Sequence, residues 1–122
     1  MYKVAEAMKT FFSSFGIPAY SVDTVPDDVE TPYISFMLQE PEWNQKASGY
    51  AQVWYRTRSN STAFAKADAI VKAIGLGKVI KLSGGGYLVI YPETPNMQLM
   101  VDGDYRAVII NYSINTYHMP GE

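Results

Sequence analysis

A chain of 122 residues with 48% apolar and 18% charged residues suits one globular domain with its own core. A formal charge of −2 disfavours a duplex-binding domain, a class that is usually strongly basic. The absence of cysteine excludes disulfides, thiolate metal sites, iron–sulfur clusters and a Cys nucleophile.

Val4, Met8, Phe11, Phe12 and Phe15 recur at helical steps, with Lys3, Glu6, Lys9 and Ser13 on other faces. The pattern predicts a helix over about residues 2–15, stopped by Gly16 and Ile17-Pro18. A short strand is expected within Ala19–Val25. Pro26-Asp27-Asp28-Val29-Glu30-Thr31-Pro32 then reads as an exposed acidic loop. Tyr33–Leu38 is a nearly continuous apolar strand, and Glu40-Pro41-Glu42 ends it. Trp43–Ser48 is a polar connection. Gly49–Thr57 is rich in β-formers and is the expected antiparallel partner of Tyr33–Leu38.

Arg58-Ser59-Asn60-Ser61-Thr62 offers several N-cap residues. Phe64, Ala67, Ile70, Val71 and Ile74 share a helical face, so a second helix is expected over about residues 61–75. Lys78–Leu82 and Tyr87–Tyr91 flank Ser83-Gly84-Gly85-Gly86, a hairpin signal. Pro92-Glu93-Thr94-Pro95-Asn96 is expected to break the chain before a separate strand, Met97–Val101. Asp102-Gly103-Asp104 turns into Tyr105–Tyr117, whose alternate residues Val108, Ile110, Tyr112 and Ile114 form an apolar face. The order predicts an α+β fold: a two-layer sandwich of a mainly antiparallel sheet with two amphipathic helices packed on one face. The single domain spans residues 1–122, with a frayed tail from about residue 118. No apolar run is long enough to span a membrane. The start, Met1 to Glu6, lacks the features of a signal peptide, so synthesis in the cytosol is expected.

The residues offer little chemistry. A Ser-His-Asp arrangement needs an oriented His, and the single His, His118, stands two residues from a Pro-Gly terminus. Asp102 and Asp104 bring two carboxylates together. An EF-hand frame counted from Asp102, however, places Arg106, Ala107 and Ser113 where a ligand, a Gly and a Glu are required. The acid pairs Asp27-Asp28 and Glu40/Glu42 stand in solvated loops that do not shift a carboxyl toward acid–base work. Ser83–Gly86 lacks the Lys-Ser/Thr and following helix of a phosphate loop. Trp54 and Arg56 project from one side of their strand and Tyr55 from the other, which splits a possible stacking platform for single-stranded nucleic acid.

Ten Tyr and six Met suggest a contact surface. Charge is also segregated. Residues 1–45 hold two lysines against seven acids, a net of −5. Residues 46–81 hold seven Lys or Arg against Asp68, a net of +6. Such complementary faces suit head-to-tail association into a ring; the alternative is that they meet within one monomer or face water.

Val22-Asp23-Thr24-Val25-Pro26, Thr31-Pro32-Tyr33-Ile34-Ser35-Phe36, Val53-Trp54-Tyr55-Arg56-Thr57-Arg58-Ser59 and the closing strand led by Asp104-Tyr105-Arg106-Ala107-Val108 together cover a layout spanning about residues 4–117. This layout resembles the tail terminator proteins of long-tailed bacteriophages and prophages, also called tail completion or head–tail joining proteins. The Gly84–Gly86 hairpin and the Pro92–Pro95 segment have no place in that pattern. The resemblance implies a virion protein of the head–tail junction, assembled in the host cytoplasm. It would form a hexameric ring on the tail tube, stop tube polymerisation and dock to a head-completion or connector protein. It implies no cofactor, no catalytic residue, no metal, no membrane and no specific nucleic acid. Asp27, Asp28, Glu30, Trp43, Tyr50, Arg56 and Arg58 are the candidate subunit or partner contacts, because interfaces favour aromatic and Arg anchors. Other readings are a different head–tail adaptor or minor capsid protein, and a small-molecule binding domain. An unrecognised hydrolase is disfavoured by the lack of a usable His or Cys.

Overall fold

The computed structural model describes residues 2–37 and 46–117. Over these described residues the fold is α+β, a curled, mixed sheet of six strands with two helices. In chain order the elements are α1 (Tyr2–Ser13), β1 (Ala19–Ser21), β2 (Tyr33–Phe36), β3 (Lys46–Arg56), α2 (Asn60–Ile74), β4 (Lys78–Lys81), β5 (Tyr87–Asp102) and β6 (Tyr105–Tyr117). The strands lie in the order β1-β2-β3-β6-β5-β4.

The helical spacing of α1 buries Val4, Met8, Phe11 and Phe12 and leaves Glu6, Lys9 and Ser13 exposed. The helix closes two residues earlier than its apolar period suggests, and Gly16 follows at φ 88°. In α2, Ala63, Ala67, Ile70 and Ile74 are buried, with Phe64 and Val71 packed beside them. Ser59 occupies its N-cap position without a side-chain capping bond. Both helices share one apolar cluster with alternate residues of four strands: Ile34 and Phe36, Ala51 and Val53, Leu88 and Ile90, and Val108, Ile110, Tyr112 and Ile114. A two-residue side-chain period explains the set. Register places Val53 opposite Val108 and Ala51 opposite Ile110, so the apolar residues of neighbouring strands emerge on one face. Phe12 stacks on Phe36 at 5.3 Å between centroids and lies 5.8 Å from Tyr112, which ties α1 to the sheet.

The structure sharpens one expectation and corrects another. β1 pairs with β2 in parallel, Ala19 opposite Ile34, so the sheet is mixed although its other pairings are antiparallel. The 22–32 connection carries the chain back along the sheet, which makes this parallel pair possible without a crossover helix. The Pro92–Asn96 segment does not divide two strands; β5 runs through it as a bulge. Pairing with β6 leaves register after Pro92–Tyr112 and resumes at Met97–Ile110. Proline at a bulge loses no ladder bond that it would otherwise have made. Asn111, alone opposite residues 93–96, donates its side-chain amide to the Pro95 carbonyl (2.7 Å) and to Gln98 Oε1 (3.1 Å). A side chain here replaces part of the interrupted ladder.

One glycine decides local packing. Gly49 stands opposite Tyr112 in the β3–β6 register, and a Cβ at this position would lie 3.0 Å from Tyr112 Cε1. The missing side chain makes room for the largest fully buried residue of the core.

Candidate interaction surfaces

The face of the sheet opposite the core is polar and aromatic. Tyr33, Trp54, Ala107 and Met100 lie in one cross-strand row. The Tyr33 and Trp54 rings stack at 6.3 Å with 16° between planes, and Tyr20 meets Tyr33 edge-on at 6.4 Å. These three aromatics are half-buried. Burial raises the Tyr33 phenol above its ordinary pKa, and the nearby Tyr105 adds to the shift.

Arg56 and Arg58 are brought together at the end of this row, where β3 leaves the sheet beside the β5–β6 turn. The Arg56 guanidinium lies 5.9 Å from the centre of the Tyr105 ring. Arg58 is held by its own chain: Nε and Nη2 reach Asp104 Oδ1 at 3.0 and 2.8 Å. Asp104 thus serves as an anchor for Arg58. Arg106 completes the rim by donating to Asn60 Oδ1 at 2.9 Å and to the Gly103 carbonyl at 2.9 Å. The turn itself needs Gly103 at φ 58°.

The other candidate contacts lie elsewhere. Tyr50 is half-buried in the middle of β3, six residues before Arg56 and on the same face. Its carbonyl accepts the Tyr112 hydroxyl at 3.3 Å. Asp27, Asp28 and Glu30 are exposed on the 22–32 connection, and among the described residues none makes an ion pair. The acidic connection therefore does not neutralise Arg56 or Arg58 within the monomer. Trp43, Glu40, Glu42 and His118 lie outside the described residues.

A polar cluster occupies the outer face over the far half of β5 and β6. Lys46 Nζ meets Glu93 Oε2 at 2.8 Å, and this contact, followed by the Ser113 hydroxyl, holds the Glu93 carboxyl below its ordinary range. Asn115 donates to the Tyr117 hydroxyl at 2.9 Å, and the Tyr91 hydroxyl lies 3.4 Å from it. Contact with Tyr91 lowers the Tyr117 pKa and raises that of Tyr91. Glu93 belongs to the bulge, so the proline-rich segment delivers a carboxylate to β3 that strand periodicity did not reveal.

A cleft that the strand and helix patterns do not reveal lies on another side of the molecule. It has a volume of about 820 Å³ and separates α1 from the β4–β5 hairpin. Ala7, Phe11, Ile80 and Leu82 supply apolar wall, with Glu6 on the helix side and Lys81 on the strand side. The hairpin tip is built as its glycines suggest: Gly84, Gly85 and Gly86 have φ of 84°, 119° and 84°, and Leu82 N–H donates to the Gly86 carbonyl at 3.0 Å. The available sequence signal was the row of exposed polar positions Glu6 and Thr10 on α1 and Ser14 just beyond it, facing a Gly-rich hairpin. Only tertiary packing brings the two together.

No protein-family model and no curated protein matches this chain.

Proposed function

We propose that this chain is a structural virion protein of the tail-terminator type, acting by association rather than by catalysis. It forms a ring at the head-proximal end of a phage tail tube, stops tube growth and joins tail to head. The observation that carries the reading is the juxtaposition of the two segments on which the family resemblance rests. Pro32–Phe36 and Val53–Ser59 belong to the consecutive strands β2 and β3 and the turn beyond β3. In the fold, Tyr33 pairs with Trp54 and Ile34 with Val53, and their aromatics stack on the outer face. The acidic connection leads into the first segment, and the Arg56–Arg58 rim belongs to the second.

The two-layer sandwich, with both helices on one sheet face, belongs to this reading and is supported by the apolar cluster that both helices share. The partners would be further copies of the chain, a tail-tube protein and a head-completion or connector protein. A second reading, a small-molecule binding domain, draws support from the α1–hairpin cleft, whose size falls within the range of ligand pockets.

Light scattering on the chain alone and with tail-tube protein tests the first reading, alongside electron microscopy of tube length. A hexamer, or tubes capped at one defined length, supports it. A monomer that leaves tube length unchanged counts against it and turns attention to ligands of the cleft.

A further inference from the structure

The two ends of the strand order differ in charge: β4 itself carries lysines, and the connection that follows β1 carries acids. Among the described residues the strand order leaves the outer sides of β1 and β4 unpaired. No Lys or Arg occurs between Lys9 and Lys46, the stretch that holds β1, while Asp23, Asp27, Asp28 and Glu30 are exposed just after it. No Asp or Glu occurs between Asp68 and Glu93, the stretch that holds β4. Lys72 is engaged by Asp68 within α2 at 2.8 Å. Lys78 and Lys81 are exposed on β4 and make no ion pair among the described residues. The basic edge therefore lies on β4, two strands beyond β6, and not at Arg56 and Arg58.

The β4 edge also has somewhere to put apolar groups. Beside it runs the cleft against α1, walled by Ala7, Phe11, Ile80 and Leu82, and Val79 is 59% exposed on the strand itself. The acidic connection is amphipathic in the same sense, with Val22, Val25 and Val29 set among its four acids and Val22 41% exposed. An edge bearing lysines disfavours a second β4 by like-charge repulsion and admits an acidic segment. The pairing orders give β1 and β4 the same direction. Copies placed side by side by rotation about an axis along the strands would keep that direction at every contact.

We propose that the β4 edge and its cleft receive the acidic β1–β2 connection of a second copy of this chain, head to tail. The contact deepens the ring reading above and relies on it only for closure. Lys78 and Lys81 face Asp27, Asp28 and Glu30 of the neighbour, and the valines of the connection enter the cleft. Glu6, on the α1 wall, is the acid that this arrangement must tolerate.

A charge exchange tests it on the full chain, read by sedimentation equilibrium over a concentration series. Reversing the basic edge (Lys78→Glu with Lys81→Glu) should weaken self-association at least about tenfold at low salt, and so should reversing the connection (Asp27→Lys with Asp28→Lys). An equimolar mixture of the two variants should restore association, because each now offers the other a complementary edge at both contacts. Added salt should weaken the wild-type contact. Since the chain has no cysteine, the pair Asp28→Cys and Val79→Cys in one chain should give a ladder of disulfide-linked multimers on oxidation. The proposal is overturned if both reversals associate like the wild type, or if the mixture does no better than its components. It is also overturned if the wild type stays monomeric and the cysteine pair gives no ladder. A chain that caps tail tubes yet ignores these reversals overturns this contact alone and leaves the terminator reading standing.

Discussion

The two faces of the sheet are built from alternate residues of the same strands, yet different physics holds each. On the core face, Val53, Val108, Ile110 and Tyr112 are buried in the apolar cluster that both helices share, and Phe12 packs against Phe36 and Tyr112 there. On the outer face, Tyr33 with Trp54, Lys46 with Glu93 and Asn115 with Tyr117 form pairs at the border of solvent. Apolar burial dominates the first face, with the Tyr112 hydroxyl bonded to the Tyr50 carbonyl, while short-range pairing orders the second. A residue on the core face is accordingly expected to matter for stability, and one on the outer face for association.

Substitution can break this contrast, and the largest effect is expected at Phe12. Phe12→Ala removes a fully buried ring that touches Phe11, Phe36 and Tyr112, and should cost about 3–5 kcal/mol in urea unfolding. Gly49→Ala should cost about 1–3 kcal/mol, because its Cβ presses on a Tyr112 ring already confined by Phe12. A cost near zero would mean that the ring can move, and the core face would be less tightly packed than its burial implies.

Tyr112→Phe sharpens the contrast by pH. Burial raises the Tyr112 phenol well above its ordinary pKa of about 10. The folded chain therefore keeps the proton while the unfolded chain releases it, so this contribution is complete below pH of about 10 and declines as pH rises further. The variant should lose about 0.5–1.5 kcal/mol near neutrality with the hydroxyl's bond to the Tyr50 carbonyl, and unfold less steeply with alkali. The smallest effect is expected on the outer face, at Lys46–Glu93. The Glu93 carboxyl is held below its ordinary range, so its contribution is present above that range and is lost as pH falls through the folded value. Glu93→Gln should remove that small acid-limb slope and leave the unfolding midpoint at neutral pH almost unchanged, because the carboxylate faces solvent.

Much of the core face was legible in the order of residues. The 3.6-residue period of Val4–Phe15 and of Phe64–Ile74 marks both helices, and the alternation Val108, Ile110, Tyr112, Ile114 marks the central strand, because each pattern is local and strong. The bulge in β5 was not legible. Two prolines in five residues signal a break, and only the long partner strand β6, with Asn111 in the gap, allows pairing to resume beyond them. The candidate contacts fared unevenly for the same reason. Asp27, Asp28 and Glu30 are exposed as their loop composition suggests. Arg58, a candidate partner contact, is engaged by Asp104, which comes from 46 residues away.

The amino-acid order alone therefore determined both helices, most of the strands, their apolar faces and the segregation of acidic from basic segments, since these depend on neighbours along the chain. Tertiary structure decided which segments became edges of the sheet. It set β1 parallel to β2, placed the lysines of β4 beside a cleft against α1, and paired Arg58 within its own chain. These outcomes depend on which strand lies next to which, and strand order is settled by packing between residues far apart in sequence.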